Sequence, residues 1–271
     1  MKTIQYTVLL LFALLLGSCE EVIDVDLGTA APRLVIDASI IWQKGTDGTE
    51  QKIRLTTTTG YFENSVPLVS GATVYVTDSS DHVFTFVEDP GTGNYLCTDF
   101  IAALGEQYML TVLHDGQTYT ATETLKAVPV IDKIEQETRT GFGGEFIQVK
   151  AFYTDNASTD DFYLFRFSPS HKTLSDYQVS EDEFYQGNQI FGVYLSEDLE
   201  AGDNIDITIN GISQRYYNYM TKIIAAAGSG GPFQSPGGTI RGNIVNTTEE
   251  SNYALGYFRL SETDNRIYTI E

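Results

Sequence analysis

The stretch QYMLTVLHDGQTYTATET, Gln107–Thr124, decides the fold class of this 271-residue chain. Apolar and polar residues alternate on both sides of Asp115-Gly116, so each side offers one face to a core and one to solvent. An Asp-Gly pair tolerates the positive φ angles of a tight turn. The stretch therefore predicts a β-hairpin.

The segments on the N-terminal side of this hairpin have the same character. Short alternating segments are separated by turn-forming residues at intervals of roughly 8–12 residues, which is typical of a β-sandwich. The clearest are LVIDASIIW at 34–42, KIRLTTT at 52–58, ATVYVTD at 72–78 and HVFTFVE at 82–88. We therefore expect an immunoglobulin-like β-sandwich over residues 33–128.

A boundary follows this first sandwich at Val128-Pro129-Val130. Proline has no N–H for a strand ladder, and it favours an extended backbone in the residue before it. Further β-patterned segments then appear, so we expect a second β-rich domain over residues 133–271. Its clearest strands are predicted at 146–155, 162–170, 204–212 and 254–262.

One segment of the second domain follows a helical period instead of alternating. In QRYYNYMTKIIAAAG, residues 214–228, one stripe is formed by Tyr216, Tyr219, Met220, Ile223, Ile224 and Ala227. Ser213 is placed to cap a helix near 214–227, and Gly228 to end it. The sequence thus predicts a mainly β protein with two consecutive β-sandwich-like domains and one short helix in the second.

The N-terminus has the pattern of a secretory signal. Lys2 precedes an apolar run at residues 8–16, which is much shorter than the roughly 20 residues that a membrane-spanning helix needs. The run ends in Leu16-Gly17-Ser18-Cys19, which resembles the bacterial lipobox. We therefore expect a signal peptide at 1–18, lipid attachment at Cys19 and a tether at 19–32. The alternative is an ordinary signal peptide with an incidental cysteine.

Glu20 and Glu21 directly follow the expected lipidated cysteine. In bacteria of the Bacteroidota type, acidic residues at this place resemble the signal that exports lipoproteins to the cell surface. The alternative is that acidic residues are common throughout this chain. We expect a lipid-anchored protein of the outer membrane that is exposed on the cell surface.

The charge and the cysteine content restrict the function further. Asp and Glu number 37 against 16 Lys and Arg, which gives a net charge of −21. Such a charge repels nucleic acids, so we expect no nucleic-acid partner. The only cysteines are Cys19 and Cys97. If Cys19 carries lipid, no disulfide can form within the chain, and Cys97 in a strand-like setting is expected to be a buried, inert thiol.

The chain carries no recognisable catalytic or metal-binding motif. The three histidines, His82, His114 and His171, have no spacing that places two on one metal ion. Acidic runs at Asp155-Asn156, Asp160-Asp161 and Glu181-Asp182-Glu183 offer oxygen atoms of the kind that calcium prefers, but they do not match a calcium-loop motif. We interpret these runs as solvated loops, and we expect no catalytic residue, no metal ion and no cofactor.

The order of several segments resembles one protein family. These segments are EEVIDVDL at 20–27, PRLVIDASI at 32–40, VSGATVYVTD at 69–78, GNYLCTDFIAALGEQYMLTV at 93–112, the tyrosine-rich helix, GGPFQSP at 230–236 and ALGYF at 254–258. The chain resembles the Bacteroidota lipoproteins grouped as domain of unknown function 4249. The resemblance implies a gene beside a TonB-dependent outer-membrane receptor, and hence a partner of a nutrient importer. It implies no catalytic residues.

Two classes of function remain open. The first is a non-enzymatic accessory or substrate-capturing partner of a TonB-dependent nutrient transporter, held to the membrane by its N-terminal lipid. A variant is a glycan-binding lipoprotein built of tandem sandwiches, which would need exposed aromatic platforms; the single tryptophan, Trp42, has a setting that suggests burial. The second class is a surface hydrolase acting on a polymer. A small-molecule, peptide or glycan ligand is not specified by the sequence.

Overall fold

The computed structural model describes residues 31–271 except 61, 62, 64, 142, 143, 183–185 and 229–237. The signal peptide, Cys19, Glu20, Glu21 and nearly all of the expected tether lie outside the described residues, as do Glu183 and the GGPFQSP segment. Residues Pro32–Glu271 form one compact unit. Among the described residues, no helix has both the length and the apolar character needed to cross a membrane.

Seven strands form the described part of the first half of the chain, and the predicted hairpin is confirmed. The strands are β1 (Leu34–Gln43), β2 (Gln51–Thr57), β3 (Thr73–Asp78), β4 (Val83–Asp89), β5 (Asn94–Cys97), β6 (Gln107–His114) and β7 (Gln117–Thr124). Strands β6 and β7 pair antiparallel from Gln107↔Thr124 to His114↔Gln117. The turn residues Asp115 and Gly116 have φ angles of +48° and +71°, as the Asp-Gly pair predicts.

The second half contains eight more strands and one helix among its described residues. They are β8 (Ile131–Gly141), β9 (Gly144–Thr154), β10 (Phe162–Pro169), β11 (Asp176–Glu181), β12 (Gln189–Ser196), β13 (Asn204–Ile212), α1 (Gln214–Gly228), β14 (Val245–Asn246) and β15 (Leu255–Thr269). The predicted mainly β class with large sandwich-like sheets and one helix is confirmed.

The last strand, β15, joins the two halves. Its first part pairs parallel with β1, from Val35↔Leu255 to Gln43↔Thr263. Its second part pairs antiparallel with β13, from Asn210↔Thr263 to Asn204↔Thr269. The result is a continuous sheet in the order β11-β10-β13-β15-β1-β2-β5-β4-β3-β6-β7-β14, beside a smaller sheet in the order β12-β9-β8.

Two main hydrophobic cores lie within this arrangement. The first draws mostly on residues between Leu34 and Leu125, and it also includes Ile244, Ala254, Phe258 and Leu260. The second draws on residues between Val128 and Ile270. The C-terminal segment thus contributes to the core of the first half, because β15 pairs with β1 there. The domain bounds 33–128 and 133–271 stay predictions.

The segment between the two halves is bound to β15 by buried carboxylates. The backbone N–H of Val128 donates to Glu262 Oε2 at 2.9 Å, and that of Ile131 donates to Asp264 Oδ2 at 2.8 Å. Both carboxylate residues are about 95% buried. Because buried backbone N–H groups need acceptors, these two side chains fix the path of residues 128–131.

The predicted helix is present as α1, and the predicted cap is confirmed. The backbone N–H of Tyr216 donates to Ser213 Oγ at 3.2 Å, as expected of an N-cap serine. Tyr216 and Met220 are buried against Leu164, Ile212 and Tyr257, whereas Ala227 at the far end of the predicted stripe is exposed. The helix therefore packs from Tyr216 to Ile224, which is partly buried against the same residues, and its last residues are exposed.

Candidate functional site

Three aspartates that lie in the acidic runs of the sequence meet in the structure. Asp155 follows the last residue of β9, Asp161 immediately precedes β10, and Asp182 immediately follows β11. Because β10 and β11 pair antiparallel with Phe162 opposite Glu181, the next residues outward, Asp161 and Asp182, are neighbours. One carboxylate oxygen from each aspartate lies within 4.8 Å of the other two. This is the one such group of metal-ligating side chains in the part of the chain that the structure describes.

The protein itself supplies hydrogen-bond donors to this acidic cluster of Asp155, Asp161 and Asp182. The Tyr163 hydroxyl donates to Asp155 Oδ1 at 2.6 Å, and the Gly187 N–H donates to Asp155 Oδ2 at 3.3 Å. The Asp161 N–H donates to Asp182 Oδ2 at 2.9 Å. Burial, with the hydrogen bond to Asp155 as a smaller cause, raises the pKa of Tyr163, so this phenol stays a donor over the physiological pH range.

A cavity of about 370 Å³ adjoins the acidic cluster. It lies between the start of β10 and the segment that connects the two halves. Two of the three aspartates, Asp155 and Asp161, reach its wall, with Tyr163 beside them. The rest of the wall is formed by Ala127, Val128, Pro129, Thr154, Asn156 and Thr159.

This arrangement has the oxygen ligands for a hard divalent cation, but four of its six carboxylate oxygens already accept hydrogen bonds from the protein. Both oxygens of Asp155 accept hydrogen bonds, and Asp161 Oδ2 accepts one from the Thr159 hydroxyl at 2.6 Å. Asn156 Oδ1 is turned to Ser158. The arrangement is therefore that of a hydrogen-bonded loop junction that holds three strand ends together. The interpretation of the acidic runs as solvated loops is wrong for Asp155 and Asp182, which are buried because the protein itself satisfies their oxygens.

The acidic cluster gives the first testable prediction. We expect the cluster to bind no cation, because the protein's own donors occupy most of its oxygens. EDTA and added calcium should therefore leave the unfolding temperature unchanged, whereas a cation that bound the folded state would raise it by mass action. Differential scanning calorimetry with and without each additive provides the measurement. A calcium-dependent rise in the wild type that is lost in Asp161→Asn would contradict the prediction.

The other residues considered for chemistry lie apart from the acidic cluster. Each histidine lies beside a different carboxylate. The distance from ring nitrogen to carboxylate oxygen is 4.0 Å for His82 and Asp78, 3.3 Å for His114 and Asp115, and 3.3 Å for His171 and Asp203. Trp42 is half-buried, and its Nε1–H donates to the Thr46 carbonyl at 2.8 Å. The structure thus brings none of these four side chains into the cavity.

Cys97 is buried in β5, as the sequence predicts. Burial raises the pKa of its thiol to about 11, so at pH 8 nearly all of it is in the unreactive neutral form. We expect iodoacetamide to modify Cys97 only as fast as the protein unfolds. Mass spectrometry of the peptide that contains Cys97, at increasing urea concentration, measures this. Fast modification in the absence of urea would contradict the expectation.

Comparison with known proteins identifies the family. The family model described as domain of unknown function DUF4249 matches residues 20–267, and the chain therefore belongs to this family. No curated protein matches the chain.

The solved structures that resemble the chain include segments with fibronectin type III domains and a cytokine receptor complex. A two-domain fibronectin type III segment of chicken tenascin is 12% identical, over 66% of this chain and 90% of that one, with a TM-score of 0.22. The FN1–FN3 domains of chicken CNTN1 are 15% identical, over 68% of this chain and 62% of that one, with a TM-score of 0.27. A chain of a cytokine receptor complex is 8% identical, over 68% of this chain and 86% of that one, with a TM-score of 0.24.

Proposed function

We propose that this protein is a lipoprotein of the bacterial outer membrane that acts, without catalysis of its own, as an accessory or substrate-capturing partner of a TonB-dependent nutrient transporter. The observation that carries the proposal is the sequence Leu16-Gly17-Ser18-Cys19 at the end of the apolar run at 8–16. Its small residues and cysteine match the processing site of bacterial lipoproteins. Membership of the DUF4249 family is consistent with this, and the resemblance described above is to members from Bacteroidota.

Lipid attachment at Cys19 means that the protein does not need to bind its transporter tightly. One acyl chain holds a protein to a membrane only marginally, whereas two or more hold it stably. A protein anchored in this way shares the plane of the membrane with its transporter, so its effective concentration at the transporter is high. A rigid β body that presents loops then needs only weak contacts to capture a nutrient or to cover the transporter.

The acidic residues after Cys19 support the surface location in this proposal. Glu20 and Glu21 stand where the export signal of Bacteroidota surface lipoproteins is expected. The high negative charge of the chain is suited to a surface that remains soluble without binding nucleic acid.

The partner is tested by affinity purification from detergent-solubilised outer membranes. We expect a large β-barrel receptor to co-purify with the wild-type protein. Matched purification of a Cys19→Ala variant, which lacks the acceptor for lipid, is expected to yield much less receptor. Recovery of no barrel protein with the wild type would contradict the partnership.

The anchor is tested separately by cell fractionation. We expect Cys19→Ala to move the protein from the membrane fraction to the soluble fraction, because the acyl chains are its only proposed attachment. Immunoblotting of both fractions after a high-salt wash measures the distribution. A variant that stays with the outer membrane would show that lipid is not the anchor.

A further inference from the structure

Parallel pairing of β1 and β15 brings together residues from the two ends of the described chain. The register begins at Val35↔Leu255, so Arg33 and Tyr253 occupy equivalent positions just before the two strands. Arg241 reaches the same place from a third segment. That segment approaches β15 so closely that a Cβ on Gly242 would lie 1.8 Å from the Gly256 carbonyl oxygen. Only glycine allows this close approach. The approach in turn places Arg241, the residue before Gly242, beside Tyr253.

The three side chains form a stack. The guanidinium carbon of Arg33 lies 3.8 Å from the centre of the Tyr253 ring, and that of Arg241 lies 3.6 Å from the same centre. Two guanidinium groups this close to one ring centre cannot share a face without overlap, so they lie on opposite faces. Their positive charges are therefore about 7 Å apart across the ring, each held by a cation–π contact.

The two arginines of this stack have no carboxylate partner among the described residues. By contrast, Lys44, Arg139 and Arg266 each pair with an acid. The one hydrogen bond of the Arg33 guanidinium to the described chain goes from Nη1 to the Ser251 carbonyl at 3.3 Å. Arg241 is exposed and Arg33 is partly buried. Each guanidinium has five N–H donors, and none of those donors has a carboxylate partner among the described residues.

We propose that the Arg33–Tyr253–Arg241 stack binds the phosphate group of a phosphate ester. A planar carboxylate has two oxygens, and one guanidinium fork uses both. A tetrahedral phosphate group has oxygens on several sides, so it can accept from guanidinium groups on both faces of the ring at once. Arginine suits this geometry better than lysine, because its donors are fixed in a plane and the plane stacks on the ring.

The phosphate could belong to a phospholipid headgroup or to a soluble metabolite. The first source rests on the proposed function: about 14 residues connect Arg33 to Cys19, which span at most about 50 Å when fully extended. A lipid anchor at Cys19 would therefore keep the stack within reach of headgroups. The stack itself follows from the described residues and does not depend on lipidation.

The site is tested by NMR of the arginine Nε–H signals of the purified protein in a non-ionic detergent. One arm titrates glycerol 3-phosphate, and the other titrates short-chain phosphatidylglycerol, both at constant ionic strength. We expect saturable shifts of the Arg33 and Arg241 signals in at least one arm. Saturation with the lipid at lower concentration would identify a headgroup, and saturation with glycerol 3-phosphate alone would identify a soluble ester.

Three variants decide whether the stack is responsible. Arg33→Gln and Arg241→Gln should each weaken binding about tenfold or more, because each removes a charge-assisted hydrogen-bonding partner. Arg54→Gln, at an exposed arginine of β2, is the matched control and should bind as the wild type does. The proposal is overturned if neither probe shifts the two signals, or if Arg54→Gln weakens binding as much as the other two. Neither result depends on whether Cys19 is acylated or a receptor co-purifies.

Discussion

Gly256→Ala is expected to lower the free energy of unfolding by about 4 kcal/mol or more, the sum of backbone strain and steric overlap. Gly256 lies in β15 with φ of +96°, and a Cβ there would lie 2.0 Å from the carbonyl oxygen of Ile36 and 2.7 Å from its carbonyl carbon. Those atoms belong to the backbone of β1, which cannot move aside without disturbing the parallel pairing. The substitution therefore acts at the junction of the two halves.

Gly202→Ala is the matched control for this prediction. Gly202 also has φ of +96°, but a Cβ there would meet nothing within 4 Å. The control thus carries the same backbone strain without the overlap, and we expect it to cost only about 1–2 kcal/mol. Urea unfolding followed by circular dichroism measures both variants. Equal losses in the two variants would mean that the close contact between β1 and β15 is wrong.

Glu262→Ala is the second substitution with a large expected effect. The Glu262 carboxylate accepts the Val128 N–H and lies 2.8 Å from Lys44 Nζ. Its removal leaves a buried backbone donor without an acceptor and opens space in β15. We expect a loss of about 2–4 kcal/mol, since an unsatisfied buried donor and a broken partly buried ion pair each destabilise.

Glu262→Gln separates the two contributions. Glutamine keeps an oxygen that can accept the Val128 N–H, but it removes the charge that pairs with Lys44, whose side chain is 29% exposed. We expect the glutamine variant to retain more than half of the stability that the alanine variant loses, because the partly exposed Lys44 ammonium can still be hydrated. If glutamine destabilised as much as alanine, the ion pair rather than the hydrogen bond would be the dominant interaction.

The same carboxylate shows where sequence patterns fail to predict the fold. The sequence predicts the last strand at 254–262, but β15 continues to Thr269. Its middle, Ser261-Glu262-Thr263-Asp264, is polar and therefore has the composition of a loop, yet all four residues are at least 95% buried. Their hydrogen-bonding partners include Val128, Ile131 and Ile209, which are remote in sequence. A local pattern contains no information about such partners.

The elements that sequence did predict are those whose stabilising partners are local or whose apolar face is regular. The hairpin around Asp115-Gly116 and the capped helix after Ser213 depend on neighbours a few residues away. The acidic runs of the candidate site were visible in the sequence, but the meeting of Asp161 with Asp182 depends on the register of β10 and β11. Likewise, nothing local links Arg33 to Tyr253, because only the parallel pairing of β1 with β15 does so.

Mass spectrometry of the N-terminal peptide of the protein from native membranes tests the central claim most directly. The lipoprotein account predicts a mature chain that starts at Cys19 and carries diacylglycerol on its sulfur, with or without a further acyl chain on its amino group. A peptide that begins at Met1, or one that begins elsewhere with an unmodified Cys19 thiol, would contradict the account. The proposed place beside a membrane transporter would then have no physical basis.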